Sequence, residues 1–255
     1  MKKILALMAI LMPAAASANG FDREMFERWV SARAGTGEPV YWYSEGDVKS
    51  YPDGKKLVRM EGFDAARLYW SDKSKPEAIQ LSRKIYVFRD IATGEILREF
   101  NGKPVEVVKF PYQYITYKLD GDKLITWVEQ GAGKTYLKIG PGQDTTVRRL
   151  GRSIAFTSPL YLDVKGAAAR TLFENYDFFI HPDAKDPKEQ FQLSWLRYGN
   201  RGGFSDGPTI THMISWRVDK FADLPAGMRE FVEKEAPLWL KPPADRAEIE
   251  RLQKQ

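Results

Sequence analysis

The chain carries two histidines and no cysteine, so imidazole chemistry near neutral pH can come only from His181 or His212. His212 lies in Ile210-Thr211-His212-Met213-Ile214-Ser215-Trp216, where strand alternation puts it on one face with Ile210, Ile214, Trp216 and Val218. An imidazole in such company is either a hydrogen-bonded core residue or, if the face lines a cavity, a neutral base or ligand partner. His181 ends a run from Phe173. Period two gives one face Phe173, Asn175, Asp177, Phe179 and His181, and the other Leu172, Glu174, Tyr176, Phe178 and Ile180. The first face is either solvated or part of a site; the second holds one carboxylate among apolar groups. A carboxylate turned inward needs a cation, and Arg197 or Arg217 on the following strands can supply it. His212, His181, Asp177 and Glu174 are therefore the candidate catalytic groups, with Tyr198 as a further acid–base partner.

Other chemistries find little support. There is no Gly-x-Ser-x-Gly elbow, phosphate-binding loop, dinucleotide fingerprint or His-Glu-x-x-His pair. Two histidines leave only a His-plus-carboxylate metal site assembled from distant strands, so neither a metal nor a cofactor is expected. Aromatic residues make up 13% of the chain. Such residues either fill a core or line the interior of a barrel wide enough for one small ligand. On the second reading Trp42, Tyr112, Trp127, Trp195, Arg197, Tyr198 and Trp216 are candidate ligand-binding residues, and the expected partner is an apolar or aromatic small molecule.

The elements that must position these groups are mostly strands. Within 21–33, Phe21, Met25, Phe26, Trp29 and Val30 suit one face of a short helix that plugs or caps a sheet. Strand-like runs follow at 39–51, 56–62, 66–70, 78–91, 95–100, 105–110, 114–119, 123–130 and 135–139. Turn chemistry separates several of them at Asn101-Gly102, Asp120-Gly121, Gly131-Ala132-Gly133 and Pro141-Gly142. The clearest hairpin sets Leu119, Tyr117 and Ile115 opposite Leu124, Thr126 and Val128 around Gly121-Asp122 or Asp120-Gly121. Further strands are expected at 153–164, where Pro159 calls for a bend or edge, and at 172–180, 190–198 and 209–218. A helical turn is read at 166–170, a helix at 228–235 and an exposed, charged helical tail at 244–255. The fold class is mainly β: an antiparallel meander forming a barrel or strongly curved sheet, with a sandwich as the other option, a short N-terminal helix and C-terminal helices.

Residues 1–18 read as a secretory signal: Lys2 and Lys3, an apolar run from Ile4 to Met12, then Ala16-Ser17-Ala18 before a cleavage point at Asn19. That run is about half the ~20 residues needed to span a bilayer, so no stable membrane anchor is expected. The expected location is the periplasm or the exterior, with one β-rich domain over 19–243. The net charge is +5, and losing Lys2 and Lys3 lowers it to +3. Basic residues are dispersed, so nucleic acid is not an expected partner.

Several short motifs resemble the bacterial family catalogued as domain of unknown function 1838: Tyr41-Trp42-Tyr43-Ser44-Glu45-Gly46, the start at Arg83 to Tyr86, Asp90-x-x-Thr93-Gly94-Glu95-Ile96, Val105-x-Val107-Val108, and Leu224-Pro225 through Pro237-Leu238 to Pro242. The resemblance implies export and names no reaction. Family members carry an Asn-Pro loop after the Thr-Gly-Glu turn and a His after the Val-Val pair, where this chain has Asn101-Gly102 and Lys109. Three functions remain open: an exported barrel-like protein holding an apolar or aromatic small molecule, a cofactor-independent lyase, isomerase or hydrolase acting on one, or a structural envelope protein.

Overall fold

Among the described residues, eleven antiparallel strands form one main sheet that curls into a half-barrel, and its order follows from a simple path of the chain. β1 (Val40–Ser50), β2 (Lys56–Tyr69) and β3 (Glu77–Arg89) run as a meander. A two-stranded hairpin, β4 (Glu99–Phe100) and β5 (Lys103–Pro104), interrupts it. The meander resumes with β6 (Val108–Asp120), β7 (Lys123–Ala132) and β8 (Thr135–Gly142). A second meander, β9 (Thr146–Leu150), β10 (Ser153–Val164), β11 (Arg170–Ile180), β12 (Phe191–Gly199) and β13 (Thr209–Val218), returns to the free edge of β1. The sheet order is therefore β8-β7-β6-β3-β2-β1-β13-β12-β11-β10-β9, with β8 and β9 as its edges. This computed structural model describes residues 20–70, 72–132, 135–142, 145–164, 170–199 and 203–254. The leader over 1–18, most of the helical turn at 166–170 and Gly133 lie outside them.

The curved-sheet expectation holds, and so do several details. The hairpin of β6 and β7 pairs Leu119 with Leu124, Tyr117 with Thr126 and Ile115 with Val128 around Gly121-Asp122. Pro159 sits in β10 beyond the stretch paired with β9, so its missing N–H costs no ladder bond on that side. Other boundaries differ. Runs 56–62 and 66–70 form one strand, because Asp64 is paired inside the sheet and does not mark a turn. Runs 95–100 and 105–110 are not successive members of the main meander: β3 pairs directly with β6, and residues 90–107 are an excursion. Asp90 Oδ1 accepts from the N–H groups of Ala92 and Thr93 and turns the chain out of the sheet.

Helices cover both faces. α1 (Arg23–Ala34) starts at Asp22, whose carboxylate accepts from Met25 N at 2.7 Å, and ends at Gly35 with φ 76°. Its apolar face, Met25, Phe26, Trp29 and Val30, packs inside the curl against Trp42, Tyr117, Leu124, Phe156 and Phe178. It thus plugs the half-barrel, as its spacing predicts. A single turn, α2 (Pro187–Gln190), precedes β12. On the opposite face of the sheet α3 (Ala226–Glu235) and the 3-10 turn Pro237–Leu240 cover Tyr41, Tyr43, Phe63, Ala65, Ile85 and Val87. The expected exposed tail is in fact docked by α4 (Arg246–Leu252): Ile249 is fully buried beside Leu81 and Tyr112, and Glu248 pairs with buried Arg83.

Candidate ligand-binding cavity

Strand alternation sorts each strand into one row facing the curl and one facing α3 and α4. From β1 the inward row supplies Trp42 and Ser44; from β2, Met60 and Asp64; from β3, Lys84 and Tyr86. β6 and β7 add Gln113, Ile115, Tyr117, Thr126 and Val128, and β11 and β12 add Glu174, Tyr176, Phe178, Trp195 and Arg197. With Trp29 and Arg33 from α1, these residues line much of a partly open cavity of about 270 Å³. That lies just below the ~300–1,000 Å³ typical of small-molecule sites.

Two cross-strand pairs form the polar part of the wall. Asp64 of β2 is directly opposite Lys84 of β3, and its carboxylate lies 3.1 Å from Lys84 Nζ. The same carboxylate accepts the Tyr86 hydroxyl at 3.0 Å. Tyr86 faces Gly62 across the ladder, and a Cβ there would come within 2.6 Å of the Tyr86 ring, so only glycine lets the ring lie across β2 toward Asp64. Glu174 of β11 is directly opposite Arg197 of β12, at 3.6 Å, and accepts the Tyr176 hydroxyl. Burial, reinforced by the Asp64 carboxylate, pushes the Tyr86 hydroxyl well above its ordinary pKa. Burial and Glu174 do the same to Tyr176. Both phenols thus stay protonated and donate.

Arg33 stands between these pairs at the C-terminal end of α1, where a cation suits the helix dipole. Its Nε–H donates to Tyr117 Oη at 3.4 Å, and its guanidinium lies 4.6 Å from the Phe178 ring centroid and 5.8 Å from that of Trp29. Burial would lower its pKa, but Tyr117 and the Asp64 carboxylate outweigh that and hold it above the ordinary value. The Tyr117 hydroxyl donates its own hydrogen bond to Gln80 Oε1 at 2.8 Å. Gln113, which accepts from Ser82, donates to Gln130 at 2.6 Å.

Of the residues singled out in the sequence, Glu174, Trp42, Trp195 and Arg197 line this cavity, and of the two candidate cations Arg197 is the one that meets Glu174. The others do not. His212 is on the exposed face of β13, 3.1 Å from Ser194 Oγ, because the buried row of that strand is Thr209, Thr211, Met213, Ser215 and Arg217. His181 sits past the end of β11 with Nδ1 2.8 Å from Ser153 Oγ. Asp177 faces away from the curl and accepts from Thr157 and Asn175, both at 2.7 Å. Tyr112 is buried on the outer face under α4, and Trp216 packs on Tyr43 there at 5.0 Å. Trp127 lies on the outward row of β7, between cavity-lining Thr126 and Val128, and Tyr198 is exposed against Tyr51. Sequence reasoning missed Arg33, Asp64, Lys84, Tyr86, Tyr117 and Tyr176 as site residues. The available signal was charge at mid-strand, where a lone Asp or Lys inside an apolar run needs a partner across the ladder.

The fold and cavity define a curled antiparallel half-barrel, plugged by a helix, with an aromatic wall carrying paired charges. No family model matches the chain, and no curated protein matches it. Of the short motifs named in the sequence, Trp42, Ser44, Lys84, Tyr86 and Val108 line the cavity, whereas Asp90 and Thr93 hold a turn and Lys109 lies 5.7 Å from the Trp239 ring centroid. Neither Asp90, Thr93 nor Lys109 lines the cavity.

Proposed function

We propose that this chain is an exported protein that binds a small, largely flat apolar or aromatic molecule inside the half-barrel. The observation that carries the reading is the cavity itself, walled by Trp29, Trp42, Tyr86, Tyr117, Tyr176, Phe178 and Trp195. Aromatic walls with a few fixed polar groups suit a site in which apolar area supplies affinity and hydrogen bonds supply orientation. The leader pattern over 1–18 supports export, and intact-mass measurement of secreted protein should give a chain beginning at Asn19. The motif resemblance to family 1838 is consistent with export and adds no ligand.

The test uses three of the seven tryptophans, Trp29, Trp42 and Trp195, as built-in reporters at the wall. Titration with small aromatic compounds should give saturable fluorescence quenching at one site per chain. Val128→Phe, which fills the wall from β7, should abolish it. Quenching that never saturates, or that Val128→Phe leaves unchanged, would rule the reading out.

One observation favours catalysis as a second reading. Asp64 and Glu174 are two carboxylates in one cavity, each bound by a tyrosine hydroxyl and a cation. An acid–base reaction in this protein would use them rather than the two imidazoles, which stand outside. Turnover of a bound compound that survives Asp64→Asn and Glu174→Gln would eliminate it.

A further inference from the structure

The cavity wall holds more positive charge and more hydrogen-bond donors than the chain itself answers. Among the described lining residues there are three cations, Arg33, Lys84 and Arg197, and two carboxylates. Lys84 is matched by Asp64 and Arg197 by Glu174, which leaves Arg33. Among the described residues Arg33 makes no ion pair, and beyond its Nε–H bond to Tyr117 its terminal amino groups have no acceptor. Trp29 and Trp195 line the same cavity, and each has a buried indole N–H without an acceptor among the described residues. The carboxylates show no comparable vacancy, since each already holds one tyrosine hydroxyl and one cation.

A half-buried guanidinium with free N–H groups is most strongly satisfied by a planar oxyanion, which it can grip through two parallel hydrogen bonds. Here Phe178 and Trp29 lie 4.6 and 5.8 Å from the guanidinium, and Trp42, Tyr176 and Trp195 line the same cavity. We propose that the molecule held in this cavity is a carboxylate on a flat aromatic or apolar body, with Arg33 pairing its carboxylate. This rests on the cavity-binding reading and specifies the class of ligand. A neutral ligand would leave Arg33 unpaired, and a cationic one would have to displace Lys84 or Arg197 from its partner.

The test is equilibrium dialysis of the full mature protein against three probes of one shape: naphthoate, naphthalenemethanol and naphthylmethylammonium. Charge-assisted hydrogen bonds to a half-buried guanidinium predict that naphthoate binds about tenfold or more tighter than the alcohol, and tighter still than the ammonium. Arg33→Gln should bring the naphthoate-to-alcohol ratio close to one. If that variant fails to fold, judged by near-ultraviolet circular dichroism, Arg33→Lys keeps the charge, loses the planar fork, and should cut the ratio several-fold. Naphthoate binding no tighter than the alcohol, or the ammonium binding tightest, overturns the inference and leaves the cavity reading standing. A naphthoate preference that persists in folded Arg33→Gln overturns the assignment to Arg33. Binding of none of the three overturns the cavity reading and this inference together.

Discussion

Replacing Asp64 by Asn isolates the electrostatics of the wall. The amide keeps the shape of the carboxylate and can still accept the Tyr86 hydroxyl, now 3.0 Å away, so the main loss is the counter-charge to Lys84 at 3.1 Å. Asp64 and Lys84 have side-chain exposures of only 11% and 19%, so solvent screens the pair weakly. Breaking a buried pair from one side costs about 3–5 kcal/mol. With Lys84 partly accessible and the tyrosine bond retained, a loss of about 2–4 kcal/mol is expected. For a chain of this size that is a fall in Tm of roughly 5–15 °C. The assay is thermal and urea unfolding of Asp64→Asn, Lys84→Met and the double variant as a cycle. Removing Lys84 as well should recover at least half of the loss, because no orphaned ammonium remains. Asp64→Asn also leaves three cations facing Glu174 alone, so naphthoate should bind more tightly to the folded variant. A loss below about 0.5 kcal/mol together with no coupling in the cycle would refute the view that this pair is a buried, mutually dependent unit.

Other consequences are equally direct. Glu248 is pushed up by burial but pulled down further by the Ala244 N–H and Arg83, so its folded pKa lies below its ordinary value. The stabilisation it gives the docked α4 is therefore present above the unfolded carboxylate range, near pH 4.3, and lost as pH falls through the lower folded value. Limited proteolysis should release the C-terminal helix from the wild type only in acid and from Glu248→Gln already at neutral pH. His212→Ala and His181→Ala, whose rings lie outside the cavity, should change stability by less than about 1 kcal/mol and leave naphthoate dialysis unaltered. Gly62→Ala would set a Cβ 2.1 Å from Ile85 O, forcing β2 and β3 apart, and should cost more than about 3 kcal/mol in urea unfolding.

The fold was legible where local rules dominate. Helix spacing from Phe21 to Val30, the Gly121-Asp122 turn and the alternation in β11 and β13 each reappear in the structure. What alternation cannot say is which row faces inward. On β13 the apolar-looking row with His212 is the outer one, while Thr209, Thr211 and Ser215 are buried, Thr209 donating to Gly199 O and Ser215 to Ser44 Oγ. On β11 the partner strand's Arg197 resolves the ambiguity, because Glu174 and Arg197 meet across the ladder. Asp64 escaped notice because a charged residue inside an apolar run looks like a turn until its partner, twenty residues on, is known to be its cross-strand neighbour. Arg33 looked like the polar end of a helix. Its role depends on α1 being inserted into the curl, which is a tertiary fact with no local signature.

The central claim is that the space between α1 and the sheet is a ligand site, and a crystal structure of the mature protein with naphthoate tests it most directly. The account predicts one naphthoate per chain between Trp42, Tyr176 and Trp195, with its carboxylate at hydrogen-bond distance, about 2.7–3.1 Å, from Arg33. A cavity that stays free of naphthoate at saturating concentration, or naphthoate bound only on the outer face, would contradict it.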